Sequence, residues 1–263
     1  METLSVVVIT HNEEARLRAC LESVAWADQI IVVDSLSDDG TVAIARAFTA
    51  EVHRRPWPGY ASQKNFGIDQ ATGDWILILD ADERVSTDLR EEIQDLLKGG
   101  AEHPVYRVPF KNHLGGRWLA HGGLYPDYHP RLFRRGAARY GEREIHETLQ
   151  YAGGERPGRG RLRGAILHLT YADLANYLDK VNRYTSLEAD ALAAEGHRVR
   201  WWHLLKPVPR FFKLYVRKKG FLDGVSGLAS AALLALYPLL VQAKVLERRH
   251  KRILPPDAGT TPR

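Results

Sequence analysis

Trp75-Ile76-Leu77-Ile78-Leu79-Asp80-Ala81-Asp82-Glu83 is the stretch on which the reading of this chain turns. An apolar run of strand length stops abruptly at two aspartates separated by one alanine. Carboxylates inside a buried strand are costly, so Asp80 and Asp82 are expected at the strand's end, in a cleft. Oxygen ligands suit hard cations such as Mg²⁺ or Mn²⁺, which in turn neutralise a diphosphate. The same pair fits a plainer role, capping a helix that starts near Thr87.

Working outward, strands and helices alternate. Leu4–Thr10 reads as a buried, valine-rich strand. Asn12 or Thr10 is a candidate cap for a helix whose apolar positions are Leu17, Cys20, Leu21 and Val24. Gln29–Val33 is a second strand ending at Asp34, followed by a turn at Asp38-Asp39-Gly40-Thr41 and a helix Val42–Phe48. A short strand Ala50–His53, a helix Ala61–Gln70, the strand Trp75–Leu79 and a helix Thr87–Leu97 complete the first hundred residues. This alternation predicts an α/β fold, a mostly parallel Rossmann-like sheet with flanking helices. Ligands of such sheets bind beyond the carboxyl ends of the strands, where Asp34, Asp80 and Asp82 all fall.

After Pro104 the pattern changes. Val105–Phe110 and Pro130–Arg134 read as strands around a glycine-rich stretch, 153–164 reads as a loop, and a helix is expected from Tyr171 to about Glu195. Between Glu195 and Asp223 there are eight Lys or Arg residues and no acidic one, interleaved with Trp201, Trp202, Phe211, Phe212, Tyr215 and Phe221. No residue from Val225 to Ala243 is charged, but Ser226, Gly227, Ser230, Pro238 and Gln242 make the stretch a poor span. A basic, aromatic segment beside an apolar helix fits a membrane-associating extension that lies in the interface. The expected division is a domain over 1–195, with halves 1–100 and 101–195, and a helical extension over 196–263.

Composition narrows the class. At 263 residues, with 44% apolar and 26% charged residues, the chain is an ordinary globular protein and not a disordered one. A single cysteine, Cys20, excludes an internal disulfide framework and fits a reducing, cytoplasmic compartment. Residues 1–100 hold 9 Lys/Arg against 18 Asp/Glu, whereas the whole chain carries 37 against 32, so the second part is strongly basic. The histidines show no zinc spacing.

Four motifs in order resemble a family-2 glycosyltransferase of the GT-A fold: Val8-Ile9-Thr10-His11-Asn12-Glu13-Glu14, Val32-Val33-Asp34-Ser35 with Asp39-Gly40-Thr41, Gln63-Lys64-Asn65, and Asp80-Ala81-Asp82-Glu83. Arg131-Leu132-Phe133-Arg134, Ile145-His146-Glu147 and Lys219-Gly220-Phe221-Leu222-Asp223-Gly224 resemble a narrower group, the bacterial glucosyltransferase-like enzymes of lipopolysaccharide core assembly. The resemblance implies an inverting, metal-dependent enzyme of the cell envelope. It would move a hexose, glucose from a UDP-sugar, onto a lipopolysaccharide-core or other lipid-linked acceptor. Its place would be peripheral, on the inner face of the cytoplasmic membrane. It also implies a nucleotide-sugar site of Thr10, Asn12, Glu13, Asp34, Lys64, Asp80 and Ala81. Arg131 and Arg134 are candidates to clamp the diphosphate, though strand alternation turns them to opposite faces. Asp82, with Asp80 and His146, would hold Mg²⁺ or Mn²⁺.

The base that takes the acceptor proton must come from another segment. The Glu-Asp pair many family members use is absent downstream, which leaves Glu147, with Glu144 second. That missing pair is also the ground for an alternative, an inactive GT-A-fold scaffold or binding protein at the membrane. A nucleic-acid role for the basic region is disfavoured by the adjacent apolar helix, so an anionic membrane surface, and no nucleic acid, is the expected partner. A sugar nucleotidyltransferase would carry a glycine-rich basic loop where Thr10-His11-Asn12-Glu13-Glu14 stands.

Overall fold

A computed structural model describes residues 1–114, 117–141, 149–153, 158–171 and 174–253. The elements run β1 (Leu4–Thr10), α1 (Leu17–Val24), β2 (Gln29–Asp34), α2 (Thr41–Arg46), β3 (Val52–Arg54), α3 (Tyr60–Gln70), β4 (Trp75–Asp80), β5 (Glu83–Val85) and α4 (Thr87–Asp95). There follow β6 (Val105–Leu114), β7 (Arg117–Trp118), β8 (Asp127–Arg134), β9 (Ala138–Tyr140), β10 (Leu149–Tyr151), β11 (Arg159–Arg161) and β12 (Ile166–Tyr171). Helices α5 (Leu174–Ala194), α6 (Trp201–Leu204), α7 (Pro207–Phe212) and α8 (Gly224–Ile253) close the chain, with a π turn at Lys213–Arg217 and a 3₁₀ turn at Gly220–Asp223.

The main sheet has the order β3-β2-β1-β4-β8-β6-β12-β5. Its first four strands are parallel, and β8 then joins β4 antiparallel, with β6 antiparallel to β8. The expected α/β fold of GT-A type is therefore present, its parallel half extended by antiparallel strands. Every residue of β1 is buried, because helices cover both faces. Val6, Val8, Leu77 and Leu79 pack with Leu17, Leu21, Val24, Leu89 and Ile93. Their neighbours Val7, Ile9, Ile76 and Ile78 point the other way, to Ala61, Ile68 and Phe133. Two-residue alternation thus feeds two cores from the same strands. At Gly67 a Cβ would lie 2.2 Å from Val7 Cγ1, so only glycine lets α3 sit this close to β1.

Several sequence expectations shift. Neither Thr10 nor Asn12 caps α1, which starts at Leu17 after Arg16 with no side-chain cap. Ser86, not an aspartate of the Asp80/Asp82 pair, caps α4 by accepting from the Leu89 amide. Within the expected 153–164 loop, β11 pairs parallel with β6.

Chain contacts define two compact units, one of Met1–Asn112 with Pro126–Leu169, the other of His113–Tyr125 with Thr170–Arg263. The division falls at Leu169, inside β12, and α5 groups with the C-terminal helices. In the second unit Ala189, Val241 and Val245 form a small core, flanked by Leu192, Val199 and Tyr237. The His121 amide donates to Asp223 Oδ2, and His121 Nδ1 lies 2.8 Å from Asp223 Oδ1, which ties the segment before Leu124 to the turn before α8. The stretch Gly220–His250 is long and apolar enough, by length and composition, to cross a membrane.

Candidate active site

Parallel pairing puts Thr10 opposite Asp34 and Ile9 opposite Asp80, so β1, β2 and β4 end together. Just past these ends the loops are sewn to one another. The Asn12 amide donates to Ser37 Oγ, and Asn12 Oδ1 accepts from the Asp38 amide. Asn12 adopts φ +52° to do so, a left-handed conformation that asparagine tolerates better than most residues. The Glu13 amide donates to Thr41 Oγ1, the Gly40 amide to Glu14 Oε2, and the Glu13 carboxylate accepts from Arg16. Asn12 and Glu13 are therefore occupied in shaping the loops.

Asp34 is fully buried and accepts from the Ser37 amide, Ser37 Oγ and Arg54 Nε. Beside it, Gln63 Nε2 donates to Ser35 Oγ at 2.7 Å. Thr10 Oγ1 and Gln63 Oε1 are buried with no hydrogen-bond partner. Two orphaned polar atoms flanking a buried carboxylate are what a ligand with donors and acceptors would satisfy.

The residues Gln63-Lys64-Asn65 each reach a different segment. Lys64 Nζ lies 3.4 Å from Asp80 Oδ1, with the Tyr60 and Tyr140 rings 5.7 and 5.2 Å away. Asn65 exchanges two hydrogen bonds with the Tyr140 backbone, fixing β9 against α3. Asp80 Oδ2 lies 3.2 Å from Arg131 NH2, which also holds Glu83 Oε1 at 2.6 Å, while Glu83 Oε2 accepts from the Asp80 amide. Burial opposes ionisation of Asp80, but Lys64 and Arg131, with His168 beyond them, outweigh it and hold its carboxyl well below the usual range. Burial pushes Glu83 up to about 7, against the pull of Arg131 and with the help of Asp80. Both oxygens of Asp80 thus face cations, a poor setting for the metal-ligand role expected of it.

Asp82 has a different neighbour. His168 pairs in register with Glu83 across β12 and β5, and its Nε2 lies 3.7 Å from Asp82 Oδ2. His168 Nδ1 is 3.0 Å from Asn112 Oδ1, an acceptor, so Nδ1 carries a proton and Nε2 is the atom turned to Asp82. Burial disfavours the charged imidazole, yet the Asp82 carboxylate beside it, with the charges of Glu83 and Asp80, raises its pKa. A carboxylate and an anchored imidazole fit a cation such as Mn²⁺ or Mg²⁺ that leaves its other positions to phosphate oxygens and water. Among the described residues no group of three His, Cys, Asp or Glu side chains gathers for a metal.

Ala81 is buried between the two aspartates. Arg131 reaches the cluster, but Arg134 does not. It pairs with Trp75 at the other end of β4, stacks on that ring at 4.8 Å and binds Glu2 at 2.7 Å, so it cannot share a clamp with Arg131. Glu144, His146 and Glu147 lie outside the described residues. Their flanks, Tyr140 and Leu149, are paired in the β9–β10 ladder. Sequence reading gives no role to Gln63, His168 or Asn112. Gln63 stands inside a quoted motif, whereas His168 is a lone histidine whose place only the register of β12 reveals.

The chain belongs to Glycosyl transferase family 2, whose family model matches residues 5–154, a range that contains all four N-terminal motifs. The lipopolysaccharide core biosynthesis glycosyltransferase LpsC of Rhizobium meliloti (strain 1021) is 33% identical, over 96% of this chain and 95% of that one. An uncharacterized glycosyltransferase of Rickettsia felis is 28% identical, over 94% and 90%. Among solved structures, S. aureus TarS 1-349 in complex with UDP-GlcNAc aligns at 16% identity with a TM-score of 0.46, over 93% of this chain and 88% of that chain.

Proposed function

We propose that this enzyme transfers a hexose, glucose from UDP-glucose, with inversion onto a lipopolysaccharide-core or other lipid-linked acceptor, working with Mg²⁺ or Mn²⁺. The observation that carries the reading is the convergence of Asp34, Gln63, Lys64, Asp80 and Asp82 at the carboxyl ends of β1, β2 and β4. Identity over nearly the full chain to a protein named for lipopolysaccharide core biosynthesis supports the acceptor class. Residues 1–100 hold the donor in this reading, 101–195 meet the acceptor, and 196–263 keep the enzyme at the inner face of the cytoplasmic membrane.

Asp34 and the open Gln63 Oε1 and Thr10 Oγ1 hold the uracil and ribose. Asp80, kept ionised by Lys64 and Arg131, orients the ribose side of the diphosphate. Asp82 and His168 are the residues that would hold the divalent cation, which when bound offsets charge developing on the leaving UDP. Glu147 removes the acceptor hydroxyl proton as that oxygen forms its bond to the anomeric carbon and the bond to the UDP oxygen breaks. Attack from the face opposite UDP inverts the anomeric centre.

The test is incubation with UDP-glucose, Mn²⁺ or Mg²⁺ and a lipopolysaccharide-core acceptor, with product followed by mass and anomeric configuration. Transfer by wild type and its loss in Asp82→Ala and in Glu147→Gln are expected. Full activity in both variants would remove the catalytic assignment.

A further inference from the structure

Residues 201–225 of the second unit turn their apolar side outward. Trp201 is 70% exposed, Phe212 57% and Val225 83%, and Leu205, Val208, Val216 and Leu222 are each more than half exposed. Leu205, Val208, Phe212 and Val216 recur every three or four residues through α7 and its flanking turns, and each is exposed. Lys206, Arg210, Lys213 and Arg217 recur at similar spacing and are exposed as well. No acidic residue occurs from 196 to 222 to balance them. Large exposed apolar side chains gathered in one segment mark a docking surface, and their cationic border selects a partner that is apolar inside and anionic at its rim.

Helix α8 decides how such a partner is met. Its uncharged stretch is long enough to cross a bilayer, but its later half is bound along α5. Tyr237 Oη donates to Glu188 at 3.0 Å, Lys244 Nζ donates to Thr185 and Ser186, both at 2.8 Å, and Arg248 pairs with Asp190. Crossing the bilayer through 225–243 would carry Glu188 into hydrocarbon with Tyr237 or break that bond, and would leave the polar pairings of Lys244 and Arg248 with α5 at the membrane's edge. The start of α8 is fixed too, since a Cβ at Gly227 would lie 1.9 Å from the Gly220 carbonyl oxygen.

We propose that residues 201–225 form an in-plane docking face for an anionic lipid bilayer, with Trp201, Phe212 and Val216 entering the headgroup boundary, the basic residues paired to lipid phosphates, and α8 lying on the membrane without spanning it. This rests on the membrane location in the proposed function and specifies the surface and depth of the contact.

The full chain is floated with vesicles of phosphatidylcholine alone and of equimolar phosphatidylcholine and phosphatidylglycerol. It is expected to float with the anionic vesicles at low salt and to be stripped by alkaline carbonate. Phe212→Ser with Val216→Ser should abolish flotation, and Lys213→Gln with Arg217→Gln should weaken it about 30-fold. All four side chains are exposed, so both variants should keep the wild-type circular dichroism and wild-type turnover of a water-soluble core oligosaccharide. Equal binding to neutral vesicles, resistance to carbonate, unchanged flotation of both variants, or salt-sensitive capture of a polynucleotide without flotation would each overturn the proposal. Flotation by a wild type that shows no transfer would support the docking face and count against the transferase reading alone.

Discussion

Arg131 is the residue on which the cleft's charge balance depends. It is buried between Asp80 and Glu83, and Glu83 has no exposed surface of its own. Arg131→Met keeps much of the volume but leaves Glu83 without its cation and Asp80 with Lys64 alone, so it should destabilise the fold by about 3–5 kcal/mol in urea unfolding. Asp82 is less committed to structure, and its loss should fall on function. Asp82→Asn is expected to lower the turnover number by about 10²–10³-fold, the scale of losing one group that stabilises developing charge. The same variant should lose the thermal stabilisation that Mn²⁺ gives in the presence of UDP. Asn112 anchors the His168 ring. Asn112→Ala should therefore weaken Mn²⁺ affinity about 10–100-fold by calorimetry with UDP present.

At the scale of elements, close approach and short pairings govern the site. Gly67→Ala would push α3 off β1, and a cost of about 1–3 kcal/mol in denaturant unfolding is expected, with the lysine that α3 presents to Asp80 displaced. The long elements were legible in the sequence because apolar runs such as Ile30-Ile31-Val32-Val33 and Trp75–Leu79 read as buried strands wherever they are placed. Three motifs at the ends of those strands, with Gln63-Lys64-Asn65 on α3, sufficed for the family. The three-residue strands β5, β9, β10 and β11 carry no such pattern and exist only through their partners. That is why His168 was out of reach: β12 brings it beside Glu83 across β5, a pairing no local spacing announces. The different fates of Arg131 and Arg134 follow from a spacing of three on one strand. Sequence alternation separated the two but could not say which one meets the aspartates.

Over the whole molecule, stability is unevenly shared. The first unit holds two extensive cores on either side of β1 and β4, whereas the core of the second rests on Ala189, Val241 and Val245 with a few neighbours. Native-state hydrogen exchange should find the amides of β1 and β4 among the slowest in the chain and those of α5 and α8 opening at lower free energy. Slower exchange in α5 than in β1 would contradict this division. The burial of all seven residues of β1 has a further consequence for descent and redesign. Apart from Thr10 at its end, no side chain on that strand is free to vary with the substrate, so a lineage changing its sugar or acceptor must do so elsewhere in the chain. Directed evolution toward a new acceptor would do best to hold residues 4–9 constant and place its changes at exposed positions, where a substitution leaves the packing around this strand untouched.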